Sequence, residues 1–249
     1  MRRLSIFIVA SAVCLGAGLI AVLAGKANAV PESEAPLAVH VDTTGPFPSD
    51  AIVLFDGKDF SKWRTQRSSE VPWTIDDEGA MVAARENIYT KEKFGDVQLH
   101  FDWSIPKNGN SGIKLHEWYE IQILDDHGET PEKSSCGSVY KQHAPLVNAC
   151  RKADEWQTYD IVFRAPRFDA DGKLARHGRF TVFQNGVLIQ DNAKILGITN
   201  SSRQPTTEYE RSILFTFHGA AARFRNVWVR RLAPRTEDME SSRSPGSRR

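Results

Sequence analysis

The densest run of functional groups in the 249-residue chain is Asn110 to Asp126, NSGIKLHEWYEIQILDD. With Trp118 to Asp125 extended, Glu120 and Gln122 project from one face together with Leu124. Ile121 and Ile123 then point the other way, into a core. An acid and an amide on one face of a strand whose other face is apolar describe the floor of a groove. Asp125 would point away from Glu120 in a regular strand; a single β-bulge near Ile123–Leu124 would turn it back. Lys114 and His116, spaced by two, lie on one face of the preceding extended segment. Asn110-Ser111-Gly112 before them is turn chemistry with hydrogen-bonding side chains. Trp118 and Tyr119 flank the acid, and aromatics beside carboxylates suit sugars, whose CH faces stack on rings while their hydroxyls take polar partners. This set offers a general base or acid in Glu120, His116 or Asp125, and substrate contacts in Lys114, Gln122, Asn110 and Tyr119. A second candidate is His218-Gly219, at the end of the apolar stretch Ile213 to Phe217, where glycine permits close approach of a ligand. Arg223, Arg225 and Asn226 follow it, and Arg225 joins the expected substrate contacts.

The elements that must position these groups are strands. Asp96 to Ser104 alternates cleanly, with Val97, Leu99, Phe101 and Trp103 on one face and Gln98, His100 and Asp102 on the other. Ser111 to His116, Trp118 to Leu124, Thr158 to Arg164 and Arg179 to Gln184 continue the series. Asn185-Gly186 joins Thr181-Val182-Phe183 to Val187-Leu188-Ile189 as a two-residue hairpin. Arg211 to Phe217 and Ala222 to Leu232 close the domain. Few segments show a 3.6-residue period, so the expectation is an all-β fold, two antiparallel sheets packed as a sandwich or jelly roll. There is no GxGxxG, P-loop or G-x-S-x-G, which argues against nucleotide-dependent and α/β-hydrolase chemistry. No cofactor is implied, and His40, His127, His143 and His177 show no metal-like spacing.

The first 29 residues have a different character. Arg2 and Arg3 precede 21 uncharged residues, Leu4 to Ala24, and Ala27-Asn28-Ala29 supplies a small-residue cleavage pattern. This is the layout of a secretory signal peptide, with an uncleaved anchor as the alternative because the apolar run exceeds the usual ~7–15 residues. Loss of residues 1–29 removes Arg2, Arg3 and Lys26 and no acid, so the formal charge moves from +1 to −2. No global basic field for nucleic acid remains, and no apolar stretch is left that could span a bilayer. The expected destination is the periplasm or the exterior. Residues 30–50 read as a linker or arm, residues 51–232 as one sandwich domain, and residues 233–249 as a polar tail. In an oxidising compartment the two remaining cysteines, Cys136 and Cys150, are expected to pair as a disulfide.

Seven ordered stretches make the sequence resemble the 3-keto-disaccharide hydrolase domain family. They are FDGKDFSKW (Phe55–Trp63), FGDVQLHFDW (Phe94–Trp103), NSGIKLH (Asn110–His116), YEIQILD (Tyr119–Asp125), EWQTYDIVFRAPRFD (Glu155–Asp169), QNGVLI (Gln184–Ile189) and FHGAAARFRNVWVRRL (Phe217–Leu232). The resemblance implies a concanavalin-like jelly-roll sandwich, and action on sugars whose carbon 3 has been oxidised to a ketone. Where the family commonly has Gln-Asp before the His-Gly, this chain has Thr216-Phe217. Concanavalin-like glucanases, a more distant resemblance, carry acids where this sequence has Glu120, Gln122 and Asp125, so Gln122 stands in place of the middle carboxylate. For a 3-keto sugar, Glu120 or His116 could serve as base, Lys114 or His218 could hold the developing oxyanion, and Asp125 could act as acid or orient a histidine. The rival expectation is a non-catalytic glycan-binding module of the same fold.

Overall fold

In this computed structural model residues 44–201, 205 and 207–233 are described. The expected signal segment, most of the arm and nearly all of the tail lie outside them. Among the described residues fifteen strands follow one another without a helix. The first five are short: β1 (Ile52–Phe55), β2 (Trp63–Arg64), β3 (Thr74–Ile75), β4 (Met81–Val82) and β5 (Ile88–Thr90). Then come β6 (Val97–Ser104), β7 (Asn110–Leu115), β8 (Tyr119–Leu124), β9 (Gln157–Arg164), β10 (Arg167–Phe168) and β11 (Leu174–Arg176). The chain closes with β12 (Arg179–Gln184), β13 (Val187–Lys194), β14 (Leu214–Phe215) and β15 (Arg223–Arg231). No helix among the described residues is long and apolar enough to cross a membrane.

These strands build a jelly-roll sandwich of antiparallel sheets. The larger sheet runs β13-β12-β9-β6-β15-β4-β3, with β1 also paired to β15; the smaller runs β2-β5-β14-β7-β8; β10 and β11 form a separate ribbon. Alternation drives the packing, because every second side chain of a strand faces the same way. Along β6, Val97, Leu99, Phe101 and Trp103 are buried while Gln98, His100 and Asp102 are half-exposed. The two sheets meet on rings: Phe215 of the small sheet lies 5.0 Å from Trp63, 5.4 Å from Phe101 and 5.0 Å from Phe224. Edge-on and tilted contacts of this kind add to the burial of each ring.

Two hairpin turns fix the ends of the long strands. Asn185 and Gly186 both take positive φ (52° and 79°) between β12 and β13, the geometry the sequence signals. His116 and Glu117 do the same between β7 and β8 (55° and 65°), and Trp118 N–H donates to Leu115 O at 3.2 Å. The second turn is a type I′ hairpin built from residues that seldom take it. It shortens the expected strand and places His116 in the turn. The β7–β8 register is unbroken from Asn110↔Leu124 to Leu115↔Tyr119, so the bulge expected near Ile123–Leu124 is absent.

Candidate functional site

The outer face of the small sheet carries the candidate site. Tyr89 pairs with Leu214, Leu214 with Lys114, Lys114 with Glu120, and Arg64 with Tyr89. Directly opposed residues in antiparallel strands share a face, so Arg64, Tyr89, Leu214, Lys114 and Glu120 form one row across all five strands. Their sequence neighbours Trp63, Ile88, Phe215, Ile113 and Ile121 fill the core. Two residues further along, Gly112 pairs with Gln122, and the Thr216 hydroxyl donates to Gly112 O at 3.1 Å. A third row pairs Asn110 with Leu124, and Gln122 Nε2 donates to Asn110 Oδ1 at 3.3 Å.

Glu120 dominates this face. Its side chain is 5% exposed and lies 3.4 Å from Lys114 Nζ. The carboxylate leans over Gly112, where a Cβ would come within 2.5 Å of Oε1; the missing side chain makes the room. Burial raises the Glu120 pKa above the ordinary carboxylate value, and the Lys114 ammonium, with a smaller contribution from the His218 imidazole, pulls against it. His218 itself is exposed, followed by Gly219 at φ 89°. The backbone of β8 is held on its free side by the segment after Cys136. Gln122 N–H donates to Ser138 O (3.1 Å), Gly137 N–H to Gln122 O (2.9 Å) and Tyr140 N–H to Glu120 O (3.0 Å). Glu120 N–H donates to the Thr199 hydroxyl at 3.0 Å.

The structure thus brings together Lys114, Glu120, Gln122 and Asn110, with His218 near enough to influence the Glu120 carboxyl. Four other expected site residues stand elsewhere. His116, 3% exposed, turns inward against Phe163 at 4.9 Å. Tyr119 lies opposite Leu115, 2% exposed, because odd-numbered positions of β8 face the core; burial pushes its hydroxyl up to about 12. Asp125 falls just beyond β8 and accepts the Asn108 N–H at 2.8 Å, which caps the preceding turn. Arg225 belongs to β15 of the opposite sheet, where it pairs with Asp102 at 3.2 Å and covers the Trp156 ring at 3.9 Å. Sequence reasoning did not single out Arg64, Tyr89 or Leu214, and it noted Thr216 only as a departure from the resembled family. Strands β2, β5 and β14 are two or three residues long, too short for a clear alternation; Asn87-Ile88-Tyr89-Thr90 carries a trace of it.

The expected disulfide is not formed: Cys136 and Cys150 are free, buried thiols. Each has hydrogen-bonding neighbours as a thiol, Tyr159 hydroxyl at 3.1 Å from Cys136 Sγ and Gln184 Nε2 at 3.1 Å from Cys150 Sγ. The two sulfurs and an Asp126 oxygen lie within 4.8 Å of one another, the one grouping among the described residues able to offer a metal three ligand atoms. A cavity of about 630 Å³, lined by Tyr119, Phe168, Leu174 and Ile195, lies beside the β10–β11 ribbon. No acid lines it, and the candidate site is assigned instead to the face of the small sheet that bears the buried Glu120.

Burial holds the His116 imidazole down to about 4 from the ordinary 6.5. Between those values the unfolded chain binds the proton and the folded chain does not, so stability falls as pH drops from about 6.5 to 4. The full effect is about 3 kcal/mol, from about 1.4 kcal/mol per pKa unit. Urea titrations at pH 7, 5.5 and 4.5 should show this loss in the native protein and a shallower one in His116→Gln.

Comparison with known proteins matches the same domain. The family model described as the 3-keto-alpha-glucoside-1,2-lyase-like domain matches residues 50–230. A Bacteroides thetaiotaomicron protein named 3-keto-disaccharide hydrolase is 30% identical over 129 residues, covering 41% of this chain and 44% of that protein, so the match spans less than half of the relative. A Parabacteroides distasonis crystal structure, described as a candidate glycosyl hydrolase, is 37% identical over 84% of this chain and 99% of its own, with a TM-score of 0.73. A second structure from that organism, with the same description, is 21% identical over 74% of this chain and 94% of its own; its TM-score of 0.58 reflects a shared fold.

Proposed function

Because the chain belongs to the 3-keto-alpha-glucoside-1,2-lyase-like domain family, we propose that it cleaves the glycosidic bond of sugars bearing a ketone at carbon 3, by elimination followed by hydration. The ketone acidifies the carbon-2 proton. Glu120 takes that proton, the electron pair forms an enolate onto the carbon-3 oxygen, and the enolate then expels the carbon-1 substituent. Water adds at carbon 1 of the resulting enone, and the net change is hydrolysis. The "1,2-lyase" of the family's description is consistent with the elimination, and the "hydrolase" of the Bacteroides relative with the net change.

The observation that carries this reading is the buried Glu120 carboxylate beside a single ammonium, over the gap left by Gly112. A carboxylate with a raised pKa is the stronger base. Lys114, 3.4 Å from it, is placed to hold the enolate oxygen. His218, exposed at the rim, is the group to protonate the departing oxygen. A retaining glycosidase would need a second carboxylate about 5–5.5 Å from the first. Gln122 occupies the neighbouring position of the face, and Asp125 is engaged at Asn108. We place the activity outside the cytoplasm, on the strength of the uncharged run Leu4 to Ala24.

Incubation with 3-keto-trehalose or 3-keto-cellobiose, followed by assay of released sugar, tests the proposal. Release from the oxidised substrate and none from the parent disaccharide is the expected result. Binding without release would make the domain a glycan-binding module, a reading favoured by Thr216-Phe217 where the resembled family has Gln-Asp. The acid limb of kcat/KM should lie above the 4.5 of an ordinary glutamate, since the base form of Glu120 is reached late. Lys114→Met removes the cation that lowers this pKa, so the limb should move further up while kcat falls.

A further inference from the structure

We propose that Tyr89 and Arg64 form a second sugar subsite, which holds the ring on the departing side of the glycosidic bond. This rests on the reaction proposed above and adds what decides between disaccharides and simple glycosides. The register fixes the geometry. Glu120 and Lys114 sit on adjacent strands at one end of the row, and Tyr89 and Arg64 on adjacent strands at the other, with Leu214 between. Strands are spaced about 4.7–4.9 Å apart, so Lys114 and Tyr89, two strands apart, are separated by about 10 Å at the backbone. That is the reach of one sugar ring joined to a neighbour.

The chemistry of the far end also suits an uncharged ring. Tyr89 is half-buried, and its ring carries the Arg64 guanidinium at 5.1 Å from its centre. Arg64 donates to Thr65 O at 3.1 Å and to the Ser212 hydroxyl at 3.3 Å, which fixes the fork. A guanidinium has five N–H donors, so donors remain for hydroxyl groups of a ligand. Leu214, 5% exposed, keeps the floor between the two ends low and apolar, where the CH face of a ring can lie. One end of the groove thus has a base and an ammonium, and the other has an aromatic rim and a planar donor. The asymmetry matches a substrate with one reactive and one inert ring.

The test uses the full chain and two substrates that share the 3-keto ring: a 3-keto-disaccharide, and the methyl 3-keto-glucoside that lacks the second ring. Tyr89→Ala should raise KM for the disaccharide about 3- to 10-fold, the worth of one aromatic contact, with kcat nearly unchanged. Its KM for the methyl glycoside should stay that of the native protein. Tyr89→Phe keeps the ring and should stay within about twofold on both substrates, and thermal melting checks that both variants fold. Equal loss on the two substrates, or no loss on either, overturns the subsite. If the native protein turns over neither substrate, the reaction proposal fails instead. Calorimetric titration with the intact 3-keto-disaccharide then decides: weaker binding in Tyr89→Ala supports the subsite, and equal binding overturns it.

Discussion

Glu120→Gln is expected to lower kcat on a 3-keto-disaccharide by about 100- to 10,000-fold, the usual worth of a positioned general base, with KM changed far less. The substitution keeps the length of the side chain and its place over Gly112, so what is lost is the ability to take a proton. Turnover of a 3-keto-disaccharide, followed by released sugar, gives the measurement; a Gln variant as active as the native protein would remove Glu120 from the chemistry. The predicted effect on stability has the opposite sign. Burial disfavours the charged carboxylate, and an amide in its place carries no such penalty, so Glu120→Gln should melt no lower than the native protein. An active-site group that strains the fold is the usual exchange of stability for function.

Phe215→Ala should have the largest effect on the fold, a loss of about 3–5 kcal/mol. Phe215 is fully buried at the centre of the small sheet and touches rings from both layers, Trp63 on its own sheet and Phe101 and Phe224 across the core. The cavity left behind has rigid aromatic walls, which cannot collapse to fill it. For a domain of this size the loss corresponds to roughly 10 °C in Tm, read by calorimetry or urea denaturation. A fall below about 1 kcal/mol would mean that the two sheets repack around the gap. Because Leu214 and Thr216 flank Phe215 and face the site, the variant should lose activity at temperatures below its own melting point.

Much of this architecture is legible in the sequence, where strands are long enough to alternate. Strands β6, β9 and β12 announce themselves through every second residue, and Asn185-Gly186 through its turn chemistry. The pairing of Glu120 and Gln122 on one face follows from the same count of two. What escapes is whatever depends on a partner strand far away in the chain. Arg225 reads as well placed as Lys114, yet β15 belongs to the other sheet, and no local pattern assigns a strand to a layer. His116 continues an alternation with Lys114 that the His-Glu turn interrupts. Tyr89 reaches the site only through its pairing with Leu214 of β14, more than a hundred residues distant, and Arg64 only through Tyr89. Asp125 lies one residue past the end of β8, where a turn claims its carboxylate before a substrate could.

The backbone bonds that Gly137, Ser138 and Tyr140 make to β8 have a consequence for how molecules meet. A strand at the rim of a sheet usually exposes unpaired N–H and C=O groups, a template on which a second chain can add. Here the groups of Glu120 and Gln122 on that side are already satisfied within the chain. Another copy cannot extend the small sheet by pairing at these positions, so the strand bearing the acid is closed there to edge-on addition of a second chain. The same bonds hold its register from both sides. A slip of one residue would turn Glu120 into the core and Ile121 out to the groove, and it would have to break two ladders at once.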